Sequence, residues 1–221
     1  MNTKTLQKLG GFCSISLGVI YIIAFIAYGG ILEFPNTNAT EIERLNFLSD
    51  NYLMLSTLNL ISYVLFGILL AVLVVSIHQR IKDYLPNLSL LSSVFGIIWV
   101  GLVIASGMIA NFGLNSVIEI GIKEPQKAIS IWSSVGIVSE GLGGGNEIVG
   151  GIWVLLLSLT ALKGHLFAKP LNYLGILIGV AGILTIYPLD IFTEVFGIGQ
   201  IVWFFWIGMF MIRQPLIEKT D

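Results

Sequence analysis

Residues 52–77 read YLMLSTLNLISYVLFGILLAVLVVSI and hold no charged side chain. A helix needs about 20 consecutive apolar residues to cross the hydrocarbon core of a bilayer. This run therefore reads as a membrane span, and the rest of the chain repeats the pattern. Spans are expected over 11–32, 52–77, 88–112, 146–162, 171–187 and 195–212. Hydrophobic residues make up 56% of the chain and charged residues 11%, with a mean hydropathy of +0.92. A soluble domain so composed would carry one continuous apolar surface. The runs are continuously apolar rather than alternating, which excludes a transmembrane barrel. The expected fold class is all-α: a polytopic six-span helical bundle forming a single integral membrane domain over 1–221.

The basic residues orient it. Lys4, Lys8, Arg80, Lys82, Lys163, Lys169, Arg213 and Lys219 fall on one side, and only Arg44, Lys123 and Lys127 on the other. By the positive-inside rule the richer side is cytoplasmic, and both termini lie there. Asp83, Glu218 and Asp221 are the inner acids, so the remaining acids make the outer face acidic. Lys4 and Lys8 ahead of 11–32 imitate a signal peptide. The run is longer than a signal h-region and lacks a small-x-small cleavage site, so a retained first helix is expected. The single cysteine, Cys13, falls in that run and has no partner for a disulfide.

The segment between the third and fourth spans is more than a loop. Proline is tolerated in the first turn of a helix, and Glu124-Pro125 reads as such a start. From there Ala128, Ile131, Trp132, Val135, Val138 and Leu142 share one helical face and a polar set shares the other. An amphipathic helix over about 125–140 is expected in the outer interface or over the mouth of the bundle. Glycines at 141 and 143–145 then break it. A short helix starting near Thr40 is expected in the outer loop 33–50. Glu147-Ile148-Val149 before Trp153 and Gln200-Ile201-Val202 before Trp206 share a spacing, the mark of a faint internal repeat.

The stretches GGGNEIVGGIWVLLLSLTAL (143–162), PLNYLGILIGVAGILT (170–185) and FGIGQIVWFFWIGM (196–209) carry a resemblance. Together they resemble the carboxy-terminal half of a bacterial family of six-span membrane proteins known as domain of unknown function 4386. The resemblance implies the same architecture and a bacterial plasma-membrane location, and it brings no chemistry with it. The positions it marks are Asn146, Glu147, Leu171, Asn172, Tyr173, Gly175, Gly179, Gly182, Gly199 and Gln200.

Glu147 stands out among the polar residues, because an ionisable group entering hydrocarbon needs a partner, a proton or water. One reading makes it the counter-charge for a cation, an amine or a proton at the outer mouth. The other has Asn146 capping the fourth span and Glu147 in its first turn, favoured by the helix dipole. Gln200 is expected at a similar depth. Ser56, Asn59 and Tyr63 form a stripe on the second span, Asn111 and Asn115 sit near the outer end of the third, and Asp190 and Glu194 lie beyond the fifth. These residues gather on the outer side and suggest a polar vestibule; interhelical hydrogen bonding is the alternative. Gly175, Gly179 and Gly182 are expected to let the fifth span approach a neighbour, within the chain or in an oligomer, and Gly101 with Ala105 the same on the third.

Several chemistries are excluded. His78, His165 and Cys13 lie in different layers, which leaves no metal or haem site. No serine has a histidine at its depth, so a hydrolytic triad lacks its base. GGGN lacks the Lys-Ser/Thr of a phosphate loop, and the scattered inner basic residues make no nucleic-acid footprint. No cofactor is expected. The function expected is binding or transport of a small cationic or amphipathic solute through an outward-facing vestibule, with Glu147, Asn146, Gln200, Asn59 and Tyr63 as ligand-binding candidates. The alternative is a non-catalytic membrane partner or scaffold; a lipid- or quinone-modifying enzyme ranks third.

Overall fold

The computed structural model describes residues 2–144, 147–187 and 189–214. Among them the secondary structure is helical throughout: α1 (Thr3–Ile26), α2 (Glu41–Asp50), α3 (Tyr52–Asn59), α4 (Phe66–Ile81), α5 (Pro86–Gly121), α6 (Pro125–Ser139), α7 (Ile148–Lys163), α8 (Lys169–Leu184) and α9 (Asp190–Arg213). Five helical stretches are long and apolar enough to cross a membrane: Thr3–Ile31, Tyr52–Ile81, Pro86–Gly121, Pro125–Lys163 and Asp190–Arg213. The fifth expected span corresponds to α8, whose 16 residues extend only about 24 Å.

Six helices close into a ring. In chain order α1 packs on α4, α4 on α5, α5 on α7, α7 on α8, α8 on α9, and α9 returns to α1. Both ends of the described chain meet at one end of this ring, here termed the terminal end. Hydrocarbon gives helices no hydrophobic reason to associate, so close backbone approach supplies the attraction. At the α1–α9 seam a Cβ built on Gly11 would lie 2.8 Å from the Gly208 carbonyl oxygen. At the α7–α8 seam a Cβ on Gly151 would lie 2.8 Å from the Gly179 oxygen, and Gly175 faces Ser158. The Gly175/Gly179 face expected to be available for an oligomer is thus covered by α7 of the same chain. A Cβ on Gly101 would meet nothing within 4 Å, so this glycine packs against no helix of the same chain.

Aromatic rings fill the interior. Phe66, Trp99, Trp153, Trp203 and Phe204 form a closed circuit with successive centroids 5.9, 5.7, 5.8, 5.6 and 6.2 Å apart. Most are edge-on, the arrangement that sets the positive rim of one ring against the negative face of the next. Tyr21 joins the circuit at Phe66 and Phe204, and Phe196 joins at Trp99. Five of the six ring helices, all but α8, thereby touch one aromatic core.

The distal end differs from expectation. Helix α5 continues past residue 112 to Gly121 and spans about 54 Å over its 36 residues. Its extension is stabilised by a second apolar core, in which Leu114 and Val117 meet Leu48 of α2, Leu55 and Leu58 of α3, and Ala128 and Ile129 of α6. Helix α6 folds back along α5 as a helical hairpin, and Ser106 and Ser139 exchange side chain-to-carbonyl bonds of 2.9 and 3.4 Å at its far end. Trp132 packs into this core. The amphipathic helix is therefore a cap packed on α5 and α2, not one lying flat in the interface. The helix expected near Thr40 is α2, started by a capping box in which Thr40 and Glu43 satisfy each other's backbone N–H groups.

Other boundaries move for local reasons. Helix α1 begins at Thr3, ahead of 11, because the Asn2 side chain accepts the Thr5 N–H at 2.8 Å. Helix α8 ends at Leu184 rather than 187, where the Thr185 hydroxyl turns back to the Gly182 carbonyl at 2.7 Å. Helix α9 begins at Asp190, five residues before 195.

Candidate functional site

Two short π-helical turns, Ala27–Ile31 after α1 and Leu60–Leu65 between α3 and α4, and a kinked segment, Glu140–Gly144 after α6, interrupt or prolong the helices. A π turn inserts a residue into the helical ladder and redirects the side chains around it; such turns are frequent at functional sites. All three border one cavity of about 430 Å³. The first contributes Tyr28 and Gly29, the second Ser62 and Tyr63, and the third Gly143, whose φ of 125° is readily adopted only by glycine. Tyr21 and Phe25 from α1, Phe66 from α4, Trp99 and Val103 from α5, and Glu147 complete the wall.

The cavity gathers polar atoms that the protein leaves without partners. The Glu147 Oε2, the Ser62 hydroxyl and the Trp99 indole N–H are each buried and make no hydrogen bond among the described residues. A buried polar group left unpaired costs about 1–3 kcal/mol, and a carboxylate more. All three atoms belong to residues that line this one space.

Glu147 sits at the mouth of α7. Its backbone N–H donates to the Thr185 hydroxyl at 3.1 Å, and its carbonyl accepts the Gly151 N–H at 2.7 Å. The residue holds the N-cap position with φ −101° and ψ 15°, yet its side chain makes no capping bond. The expected arrangement, with Glu147 inside the first turn, is therefore corrected. Thr185 ties down the backbone while the carboxylate is turned toward the cavity. Asn146, expected as the cap, lies outside the described residues.

A second cavity of about 550 Å³ lies distal to the first, among Phe34, Arg44, Asn59, Trp132, Ser139 and Glu140. Tyr28 and Tyr63 line both and form a common wall. Within that wall the Tyr28 hydroxyl donates to Asn59 Oδ1 at 3.4 Å. Gly107 of α5 admits the turn: a Cβ there would collide with the Tyr63 Cβ and lie 3.2 Å from the Asn59 oxygen.

Of the expected site residues, Glu147 and Tyr63 line the inner cavity, and Asn59 lines the outer one. Gln200 does not join them. It is buried in the core on α9, one turn from Phe196, and neither of its amide atoms has a partner among the described residues. Trp153 belongs to the aromatic circuit while Trp206 packs beside it, so the two tryptophans of the matching stretches have different surroundings. Asp190 and Glu194 are exposed at the start of α9, away from both cavities. The lining residues missed from sequence are Tyr21, Tyr28, Ser62 and Trp99. Aromatics within apolar runs read as packing, and only the π turn at 60–65 rotates Ser62 into the cavity in place of Ser56. Comparison with protein-family models, curated proteins and solved structures finds no match for this chain.

Proposed function

We propose that this chain is an integral membrane protein that binds a small cationic or amphipathic solute in the Glu147 cavity, as a carrier or receptor for it. The carrying observation is the meeting of a carboxylate oxygen, a hydroxyl and an indole N–H, all buried and unpartnered, around about 430 Å³. That volume falls within the range of small-molecule sites, which are mostly apolar with a few convergent polar groups. A lone carboxylate in a low-dielectric bundle calls for a cation or a proton, which sets the sign of the solute.

The distribution of lysine and arginine supports a bacterial-type plasma-membrane topology of six spans, with α8 as the short fifth and the terminal end in the cytoplasm. The two cavities then open toward the acidic outer face, so a cation would be concentrated where it enters. A binding role is favoured over a catalytic one. The described lining residues include one carboxylate and no histidine, lysine, cysteine or second acid to serve as its acid–base partner. The resemblance to domain of unknown function 4386 agrees with this topology and adds no substrate.

The test is thermal unfolding of the purified protein in detergent against cations, amines, lipids and quinones, with Glu147→Gln alongside. A bound solute at a hundredfold excess over its dissociation constant stabilises the native state by about 2.7 kcal/mol. The expected result is a shift in the wild type that disappears in a folded Glu147→Gln variant. Equal shifts in both proteins, or none in either, would refute a solute site at Glu147.

A further inference from the structure

The wall of the Glu147 cavity is of two kinds. One part is polar, a Glu147 carboxylate oxygen and the Ser62 hydroxyl, and six of the thirteen lining residues are aromatic, among them Tyr21, Tyr28, Tyr63, Phe66 and Trp99. An inorganic divalent cation takes about six to eight oxygen ligands, far more than this wall concentrates at one point. A primary ammonium brings three N–H donors, each of which must find an acceptor once water is removed. An N-alkylated ammonium suits the wall better. It has few or no N–H groups to satisfy, and its diffuse charge is attracted to aromatic faces and to the carboxylate.

The indole of Trp99 adds a second requirement. Its N–H is only ever a donor, it is buried, and none of the described residues accepts from it. A ligand without an acceptor would leave that donor unpaired. We infer that the solute of the Glu147 cavity is an N-alkylated ammonium ion carrying a hydrogen-bond acceptor, with its charged head between the carboxylate and the aromatic rings and its acceptor on the Trp99 indole. This rests on the reading of the cavity as a solute site and narrows it to one chemical class.

The wild-type protein in nanodiscs, titrated calorimetrically with choline, tetramethylammonium, ethanolamine and potassium ion, tests the inference directly. Choline has both features, tetramethylammonium lacks the acceptor, ethanolamine lacks the methyl groups, and potassium lacks both. Choline is expected to bind at least tenfold more tightly than ethanolamine and several-fold more tightly than tetramethylammonium, with potassium weakest. Trp99→Phe keeps an aromatic face and deletes the donor. It is expected to bring choline down to the affinity of tetramethylammonium while leaving tetramethylammonium unchanged, a pattern that general loosening of the fold would not produce. Tighter Glu147-dependent binding of ethanolamine or potassium would overturn the inferred class while leaving a cation site in place. No binding of choline or tetramethylammonium would also overturn it, and the solute site itself would fall only if the broad screen against Glu147→Gln were negative too. The ranking of the four probes in the wild type decides the matter even if a variant fails to fold.

Discussion

The indole of Trp99 occupies the space that a side chain at position 150 would need. A Cβ built on Gly150 would lie 2.7 Å from Trp99 Cε2 and 2.8 Å from its Cζ2. Gly150 is three residues beyond Glu147, so this contact holds α5 against α7 next to the cavity that Trp99 and Glu147 both line.

Gly150→Ala is therefore expected to push Trp99 off its seat. Overpacking of this kind costs about 1–3 kcal/mol, read as a lower midpoint of thermal unfolding, with a change in tryptophan emission and weaker solute binding. Gly101→Ala is the control, since a Cβ there meets nothing within 4 Å. It should be neutral or slightly stabilising, because alanine is the better helix former by up to about 1 kcal/mol.

The α7–α8 seam should be less forgiving. A Cβ on Gly151 would lie 2.8 Å from the Gly179 oxygen and from backbone atoms of Gly182 and Ile183. Backbone cannot rotate aside as an indole can. Gly151→Ala is expected to destabilise more than Gly150→Ala, about 3 kcal/mol against the lower part of the overpacking range. Comparable unfolding midpoints for the two variants would show that α8 slides freely along α7.

At the terminal end Arg80 of α4 binds α1 and the end of α9 at once. Its Nη1 donates to Gln7 Oε1 at 3.2 Å and to the Gln214 carbonyl at 2.8 Å, and its guanidinium lies 4.9 Å from the Phe210 ring centroid. Lysine preserves the charge but not the planar fork that bonds and stacks together. Arg80→Lys should cost about 1–3 kcal/mol, mostly the lost charge-assisted bonds. Hydrogen exchange should show the last turn of α9 opening first. Unchanged protection there would mean that the ring closes without this clamp.

The distal cap carries a pH response. The Glu43 carboxylate accepts the Thr40 N–H at 2.8 Å and the Thr40 hydroxyl at 3.1 Å, and these bonds hold its pKa below the usual 4.5. A carboxyl whose folded pKa is depressed adds stability that is complete above its unfolded value and is lost as pH falls through the folded one. The start of α2 should consequently stay intact at mild acidity and fray only below about pH 4.5. The Thr40 amide proton shift should titrate with a midpoint under that value in the wild type and lose the transition in Glu43→Gln. A midpoint at or above 4.5 would contradict the capping geometry.

Much of the architecture was legible because hydrocarbon restricts the backbone. A chain without water must satisfy its N–H and C=O groups within helices, so uncharged runs such as 52–77 mark helices, and Pro86, Pro125 and Pro170 sit in the first turns where proline fits. Glu147 was legible for the same reason, as a charge where charge is costly. Gln200 was misleading: its polarity marked it equally, but helix rotation buries it outside the cavities. The extension of α5 to Gly121 was not legible, since it depends on Leu114 and Val117 finding partners in α2, α3 and α6.

The sequence by itself determined that this chain is a membrane-type helical bundle with a carboxylate at the head of α7, because both follow from the transfer energy of side chains and the self-satisfaction of the helix. Only the tertiary structure decided what Glu147 meets. Two π turns, the kink at Gly143, a glycine at 150 and the closure of α9 on α1 bring Tyr21, Tyr28, Ser62 and Trp99 to the same cavity, and these depend on register and close packing between helices distant in the chain.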